Sequence, residues 1–278
     1  MTQLPEAEVT RKGLASEVVG KRVTSTEVTT ASLVRHQRNR PELYKRLEGR
    51  KISGASRRGT AVMLELEDDT TFVIQMGSRA WITHHKASAT PDKTVRMVLL
   101  FASSGALHYH DQNKDGALFV VGDDEVDELP ELAPGGIDPL ADVFTWQAFS
   151  SKLVELGLPL RAALVDRRVL LGLGDVYADE ILWTAGISGA RDASQLSAQE
   201  VRRLYRGVLE VINEAVKQGG ASASETQERT EEDDPDDVPS SFLRVHGRQG
   251  EPCPRCRHAV QLEDVAGHLS FHCPQCQT

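Results

Sequence analysis

The chain has no cysteine before position 253. All four of its cysteines, Cys253, Cys256, Cys273 and Cys276, lie in the last tenth of the sequence. None is left over for a disulfide framework, and a reducing compartment is expected. Nor does any apolar run approach the ~20 residues that a membrane-spanning helix needs. The first residues also lack the basic and apolar pattern of a secretory signal, so a soluble, cytoplasmic protein that avoids membranes is expected. Positive charge is scarce as well. A net charge of -9 argues, taken whole, against a phosphate-rich partner, because phosphate binding draws on lysine and arginine. The shortage is local. Eight acids and one base lie between Glu225 and Asp237, and six acids with no base lie between Asp123 and Glu131. Those two runs carry more than the whole negative excess. The remainder is mildly basic, with clusters at Arg35 to Arg40, Arg57-Arg58, Arg167-Arg168, Arg202-Arg203 and Arg244 to Arg257. Any one cluster is an ordinary solvated surface, but their sum permits nucleic-acid binding.

At 278 residues the chain exceeds one domain of roughly 100 to 150 residues and suits two domains with a small appendage. Leu4-Pro5-Glu6-Ala7-Glu8 opens a helix: proline suits the first turn, and early acids suit the positive end of the helix dipole. Leu14, Val18 and Val19 supply its apolar face, and Gly20 closes it. Short β-branched runs follow at 22–30, 61–66, 71–75, 95–101, 105–110 and 117–121. Turns such as Glu67-Asp68-Asp69 separate them, as in antiparallel sheets packed into a sandwich. Helical periodicity returns at 146–156, 160–166 and 176–185. Ser197 to Glu200 has the spacing of a capping box and begins a long amphipathic helix through Lys217, stopped by Gly219-Gly220. The expected division is an N-terminal helix and β-sandwich domain at 1–122, an acidic linker at 123–139, a helical domain at 140–220, an acidic disordered insertion at 221–241 and a zinc-ribbon finger at 242–278.

The spacing Cys253-x2-Cys256-x16-Cys273-x2-Cys276 identifies the finger. Each C-x-x-C turn points two thiolates at one ion, and two turns complete a tetrahedron. Four protein ligands leave no open position for water, so one structural zinc ion is expected. His258, His268 and His272 lie in or beside the ribbon, but the four cysteines already suffice.

Four passages resemble the formamidopyrimidine-DNA glycosylase and endonuclease VIII family, in the family's order and over nearly the whole chain. Met1-Thr2-Gln3-Leu4-Pro5-Glu6-Ala7-Glu8 resembles its M-P-E-L-P-E-V-E opening. Leu170 to Leu182, containing Gly172-Leu173-Gly174-Asp175-Val176-Tyr177, resembles the G-x-G-N-I-Y passage of its helix-two-turn-helix. Val245 to Cys253 resembles the approach to its zinc finger, and the cysteine spacing completes the match. The resemblance implies an α+β protein of two domains, an N-terminal helix plus antiparallel β-sandwich and a C-terminal helix-two-turn-helix domain with a β-hairpin zinc ribbon, acting as a clamp on DNA. It also implies base excision repair, in which the processed N-terminal amine attacks the sugar C1′, forms a Schiff base and cleaves the strand by elimination.

Several positions depart from that pattern. Thr2 stands for the family's nucleophilic proline. An exposed α-amine, with a pKa near 8, would still suit Schiff-base chemistry if Met1 were removed. Gln3 stands for a proton-donating glutamate, and an amide cannot exchange a proton usefully. Glu6 remains, either in its family role or as a charge favoured at a helix start. Thr60 replaces a phosphate-binding lysine after Arg57-Arg58-Gly59, which removes a charge-assisted contact. Ser78 follows Gln75-Met76-Gly77 where the family has a void-filling methionine, and Asp111-Gln112-Asn113-Lys114-Asp115-Gly116 replaces its second wedge motif. A carboxylate such as Asp115 cannot act as an apolar wedge. Asp175 brings negative charge to a phosphate-binding position while suiting a helix N-cap. His268 stands where an arginine enters the minor groove. Gly172 and Gly174 still allow backbone N–H groups to approach a phosphate.

The expected DNA-binding positions are therefore Arg58, Arg161, Gly172, Gly174, Asp175 and His268. The expected catalytic positions, should activity persist, are Thr2 and Glu6. The leading expectation is a zinc protein, monomeric and nucleoid-associated when bound, that binds DNA but has given up the family's excision chemistry. The alternatives are an active glycosylase or abasic-site lyase using the Thr2 amine, and a protein-interaction module that offers its acidic insertion to a basic partner.

Overall fold

Buried apolar residues run through the strands at 61–66, 70–75, 95–101 and 117–122, and their packing builds the first unit. A computed structural model describes residues 2–103, 105–132, 135–141, 143–220 and 242–278. The acidic insertion expected at 221–241 lies outside the described residues. The chain divides into two units, Met1–Thr2 with Ala7–Ala133 and Gln3–Glu6 with Pro134–Thr278. The first helix, α1 (Leu4–Glu17), thus contributes its first turn to the second unit and the rest to the first.

In the first unit, β1 (Val23–Val28), β6 (Val95–Phe101), β7 (Gly105–Asp111) and β5 (Ala80–Lys86) form one antiparallel sheet in that order. A second antiparallel sheet has the order β2 (Ile52–Arg58), β3 (Ala61–Leu66), β4 (Thr70–Gln75) and β8 (Ala117–Gly122). Val95, Met97, Leu99 and Phe101 are buried at every second position. Met97, Leu99 and Phe101 share a core with Leu107 and Tyr109 of the same sheet and with Val62, Leu64, Phe72 and Ile74 of the other, which makes the pair a sandwich. Helix α2 (Arg40–Leu47) adds Leu43 and Leu47 to this core. Asn39 caps it by accepting the Glu42 N–H at 3.0 Å. Each such fully buried leucine contributes roughly 1.5–3 kcal/mol.

Strands β2 and β5 and helix α2 were not expected from the sequence. Both strands sit at sheet edges, where a polar composition such as Trp81-Ile82-Thr83-His84-His85-Lys86 is favoured because it discourages further pairing. Residues 123–132 are likewise more than a linker. Val126 and Leu132 are buried with Ala61, Met63, Val73, Phe119 and Val121 on the outer face of the second sheet. That is why β3 is apolar on both faces.

The second unit contains α3 (Trp146–Leu156), α4 (Leu160–Val165), α5 (Asp175–Ala185), α6 (Ala198–Lys217) and a hairpin of β9 (Gln261–Val265) and β10 (His268–His272). Gly157 and Gly186 end α3 and α5 in the left-handed conformation. Ser197 and Glu200 form the expected capping box at the start of α6. Glu200 also bonds Arg191, and these contacts, Arg191 foremost and then Ser197, hold its carboxyl down at about 2. Since the folded-state pKa is depressed, this stabilisation is present above the unfolded value near 4.5 and is lost as pH falls toward 2. A Glu200→Gln variant should therefore show a flatter loss of stability over that acid window, measured by urea unfolding at stepped pH. Among the described residues, no helix is long and apolar enough to cross a membrane.

Candidate nucleic-acid interface and metal centre

The N-terminal residues are held by short polar contacts within each unit. In the first, the Thr2 N–H donates to the Ser78 carbonyl at 3.0 Å, and the Thr2 hydroxyl lies 2.9 Å from the Gly77 carbonyl and 3.1 Å from that of Ala80. In the second, the buried Gln3 accepts the Gly174 N–H through Oε1 at 2.8 Å. The Leu4 N–H meets the Gly172 carbonyl at 2.7 Å. Glu6 accepts the Tyr177 hydroxyl at 2.5 Å and the Gln3 N–H at 3.2 Å. A Cβ on Gly174 would lie 2.9 Å from the Gln3 side chain, so the close approach requires glycine there. The Gly174 N–H, expected at a phosphate, thus meets Gln3 instead.

The positions of the family's phosphate contact and wedge are tied down in the first unit. Thr60, in the turn between β2 and β3, accepts from the Gln75 amide at 3.0 Å. Arg58 pairs with Asp127 at 2.6 Å and reaches the carbonyls of Val126 and Leu132. Its charge anchors the acidic segment. Ser78 donates to Asp115 twice, from its N–H at 2.9 Å and its hydroxyl at 2.6 Å, and accepts from Asn113 at 2.8 Å. Fully buried Asp111 orders the rest of this loop by accepting the N–H groups of Lys114 and Gly116 and the Tyr109 hydroxyl. Burial first, and then the Asp111 carboxylate, push the Tyr109 phenol well above its ordinary range.

In the second unit Arg161 is wholly buried. It donates to Asp179 at 2.9 Å and to Asp175 at 2.7 Å. Asp175 was expected as an N-cap, but Gly174 holds that place and Asp175 is the first residue of α5. Its carboxylate reaches Arg161 because it lies on the same helix face as Asp179, one turn on. His268 follows the Ala266-Gly267 turn of the hairpin, both residues of which have positive φ, and its Nδ1 lies 3.8 Å from Asp175. Beside it Leu269 is 60% exposed, an apolar fingertip side chain that the sequence pattern did not single out.

Sequence reasoning also missed Asp179 and Glu180, both buried on an apolar helix. Asp179 accepts from Arg161, from Ser270 at 2.9 Å and from the Phe271 N–H at 3.2 Å, and contacts His246 Nδ1 at 2.8 Å. Glu180 accepts three consecutive N–H groups, from Arg244, Val245 and His246, at 2.8 to 2.9 Å. Burial raises its pKa, although those three donors pull the other way. The available signal was two adjacent acids inside Val176 to Ala185, where a buried helix should carry none.

The four cysteine sulfurs converge to within 4.8 Å of one another. Cys253 and Cys276 are 3.9 Å apart, and Cys256 and Cys273 are 3.4 Å apart. A tetrahedral ion with bonds of about 2.3 Å requires sulfurs about 3.8 Å apart. One structural zinc ion fits. None of His258, His268 and His272 belongs to this group. The Trp183 indole N–H lies 3.4 Å from Cys253 Sγ, a second-sphere contact that favours the thiolate.

Three family models match in sequence order: the formamidopyrimidine-DNA glycosylase N-terminal domain at residues 1–118, its H2TH domain at 136–227, and the zinc finger found in FPG and IleRS at 250–278. The formamidopyrimidine-DNA glycosylase of Thermus thermophilus is 35% identical over 280 residues, covering 100% of this chain and 98% of that protein. That of Geobacillus kaustophilus is 32% identical, covering 100% of both. Among solved structures, Lactococcus lactis Fpg in complex with DNA containing an abasic site has a TM-score of 0.86 at 30% identity, covering 99% of both chains. The Fpg protein of Thermus thermophilus has a TM-score of 0.82 at 34% identity, covering 99% of this chain and 98% of that one. With its two-unit α+β fold, its four-cysteine finger and these full-length likenesses, the chain belongs to the formamidopyrimidine-DNA glycosylase family.

Proposed function

We propose that this protein binds duplex DNA through its zinc finger and helix-two-turn-helix but does not excise bases by the family's route. One observation carries the reading. The Ser78 position, where the family places a void-filling methionine, is held in a polar network with Asp115 and Asn113, and Asp115 falls in the second wedge loop. Extruding a base leaves a gap that an apolar side chain must fill if the stack is not to collapse. Two wedge positions occupied by a hydroxyl and a carboxylate cannot do so, and a carboxylate beside the duplex also repels phosphate. The chemistry is weakened in the same direction. Gln3 offers Gly174 the acceptor that a carboxylate would, but has no proton to give. DNA binding itself rests on the retained finger and on the likeness to a Lactococcus lactis protein solved with DNA.

A second reading is favoured by one contact. Glu6 keeps a carboxylate beside Gln3 and Tyr177, as a proton-transferring group would require. With Met1 removed, the Thr2 amine could condense with an open-chain abasic sugar, releasing water, and β-elimination would follow without any base to extrude. Borohydride reduction of the protein mixed with abasic-site duplex separates the two readings. No covalent adduct is expected, alongside a duplex gel shift that weakens steeply with salt. An adduct that disappears when the N-terminus is blocked would overturn the leading reading, and no shift even at low salt would remove DNA binding.

A further inference from the structure

Nine histidines are present in the chain, and three of them gather on the face of the first sheet opposite its core. Strand β5 pairs with β7 so that Trp81 stands opposite His110, Thr83 opposite His108 and His85 opposite Ala106. Residues opposite one another in an antiparallel pair share a face, so His85, Thr83, His108 and His110 project together. The three imidazoles offer one nitrogen each within 4.8 Å of the others.

The cluster has features that packing alone does not supply. His108 is 3% exposed, and its Nε2 has no hydrogen-bond partner among the described residues. A buried imidazole nitrogen without a partner is anomalous unless something binds it. His110, equally buried, is oriented from behind. Its Nδ1 lies 2.7 Å from the Thr94 hydroxyl, which lies 2.5 Å from the Asp92 carboxylate. That chain is satisfied when His110 carries its proton on Nδ1, which turns the Nε2 lone pair toward the cluster. A ring nitrogen held by a relay to a carboxylate is the arrangement that orients histidine ligands in metal sites. Trp81 stacks on His110 with ring centroids 4.6 Å apart and planes 9° from parallel, fixing the ring further. At the open side, the Thr83 hydroxyl lies 2.8 Å from both His110 Nε2 and His85 Nε2. A hydroxyl has one proton to donate, so it can bridge the pair only if His85 bears hydrogen on Nε2. A metal ion reaching the site would move that proton to Nδ1 of the exposed ring.

From this arrangement we infer that His85, His108 and His110 form a second metal site, for a zinc-class divalent ion, with a fourth position open to water or to the Thr83 hydroxyl. Imidazole suits zinc, copper and nickel, and three neutral nitrogens with one open position is a common zinc arrangement. Burial first lowers the pKa of His110, to about 4, and burial also lowers that of His108. Both rings are therefore neutral at pH 7, as ligands must be. A tetrahedral ion with bonds of about 2.05 Å needs nitrogens about 3.3 Å apart. The nitrogens lie within 4.8 Å of one another, so a bound ion must draw them closer, and His85, at the exposed end of an edge strand, is the ring placed to make most of that movement.

The full-length protein tests this directly. After saturation with Zn2+ and desalting, the wild type should retain one zinc ion per chain more than the His85→Ala variant, which keeps every finger cysteine. Cobalt substitution should show the same difference as visible bands that lack thiolate-to-cobalt charge transfer. His85 is exposed, so the variant should unfold at the same temperature as the wild type when no zinc is added, and only the wild type should be stabilised by adding it. Equal zinc content in the wild type and His85→Ala would overturn the proposal. So would an extra ion that survives both His85→Ala and His110→Gln.

Discussion

Chelating zinc from the full-length protein is expected to melt the finger over residues 250–278 while the first unit stays folded. The core beneath the finger is small: Val245, Val260, Cys253 and Cys273 are its fully buried members. Apolar burial on that scale cannot offset the conformational entropy of ordering some thirty residues. The ion must supply the difference, and structural zinc in finger peptides contributes about 10–16 kcal/mol of apparent binding energy at neutral pH. Hydrogen exchange is the measurement: amides of β9 and β10 should lose protection on chelation and regain it when zinc returns. The Trp183 N–H beside Cys253 provides an optical reading of the same event. Unchanged protection in β9 and β10 after complete metal removal would show that the hairpin holds itself. DNA binding should fall together with protection, because the fingertip residues His268 and Leu269 belong to that hairpin.

An Asp179→Ala variant should lose about 3–5 kcal/mol of stability, the usual consequence of removing one partner of a buried ion pair, because the Asp175 carboxylate left to Arg161 is largely exposed. Arg161 is wholly buried, and its Nη1 already has no hydrogen-bond partner among the described residues. Asp179 is the fully buried carboxylate that balances it. Urea unfolding followed through Trp183 measures the loss. The Arg161→Met and Asp179→Ala double variant should cost less than the two single variants added together, with a coupling of roughly 1–3 kcal/mol. It should not return to wild-type stability, because Ser270, Phe271 and His246 also lose an acceptor. Additive costs would mean that the pair is not coupled and that the guanidinium finds compensation elsewhere.

Legibility of the fold followed the strength of local chemical constraint. The cysteine ligands were readable because tetrahedral coordination imposes a spacing that little else requires. The Ser197 and Glu200 box was readable because its two bonds are made within four residues. Strands β3 and β6 were readable to the residue, since each is an apolar run interrupted by a single charged residue, Glu65 in one and Arg96 in the other. Strands β2 and β5 were not, because at a sheet edge the polar residues that prevent further pairing dilute the hydrophobic pattern. Helix α2 hid behind Arg35 to Arg40 for a related reason: two leucines, four residues apart, are its only fully buried residues, with Tyr44 packed partly beside them. The N-terminal positions were readable as departures from a family pattern. Their bonding was not, since the partners of Gln3 and Glu6 lie some 170 residues away in sequence. Arg161 shows the opposite failure. An arginine beside a DNA-binding motif invites assignment to phosphate, and only tertiary structure reveals that two aspartates of α5 hold it inside.

The carboxylates of Asp179 and Glu180 bear on how this finger can be inherited or engineered. Between them they take the backbone N–H groups of residues 244, 245, 246 and 271, the Ser270 hydroxyl and the His246 ring. The C-terminal ribbon is therefore no detachable cassette. A finger grafted from a relative would function only on a helix that presents the same two acids at adjacent positions, and a finger exported without that helix would carry a row of unanswered donors to its new host. Recombination should move α5 and the ribbon together, although about sixty residues of chain separate them.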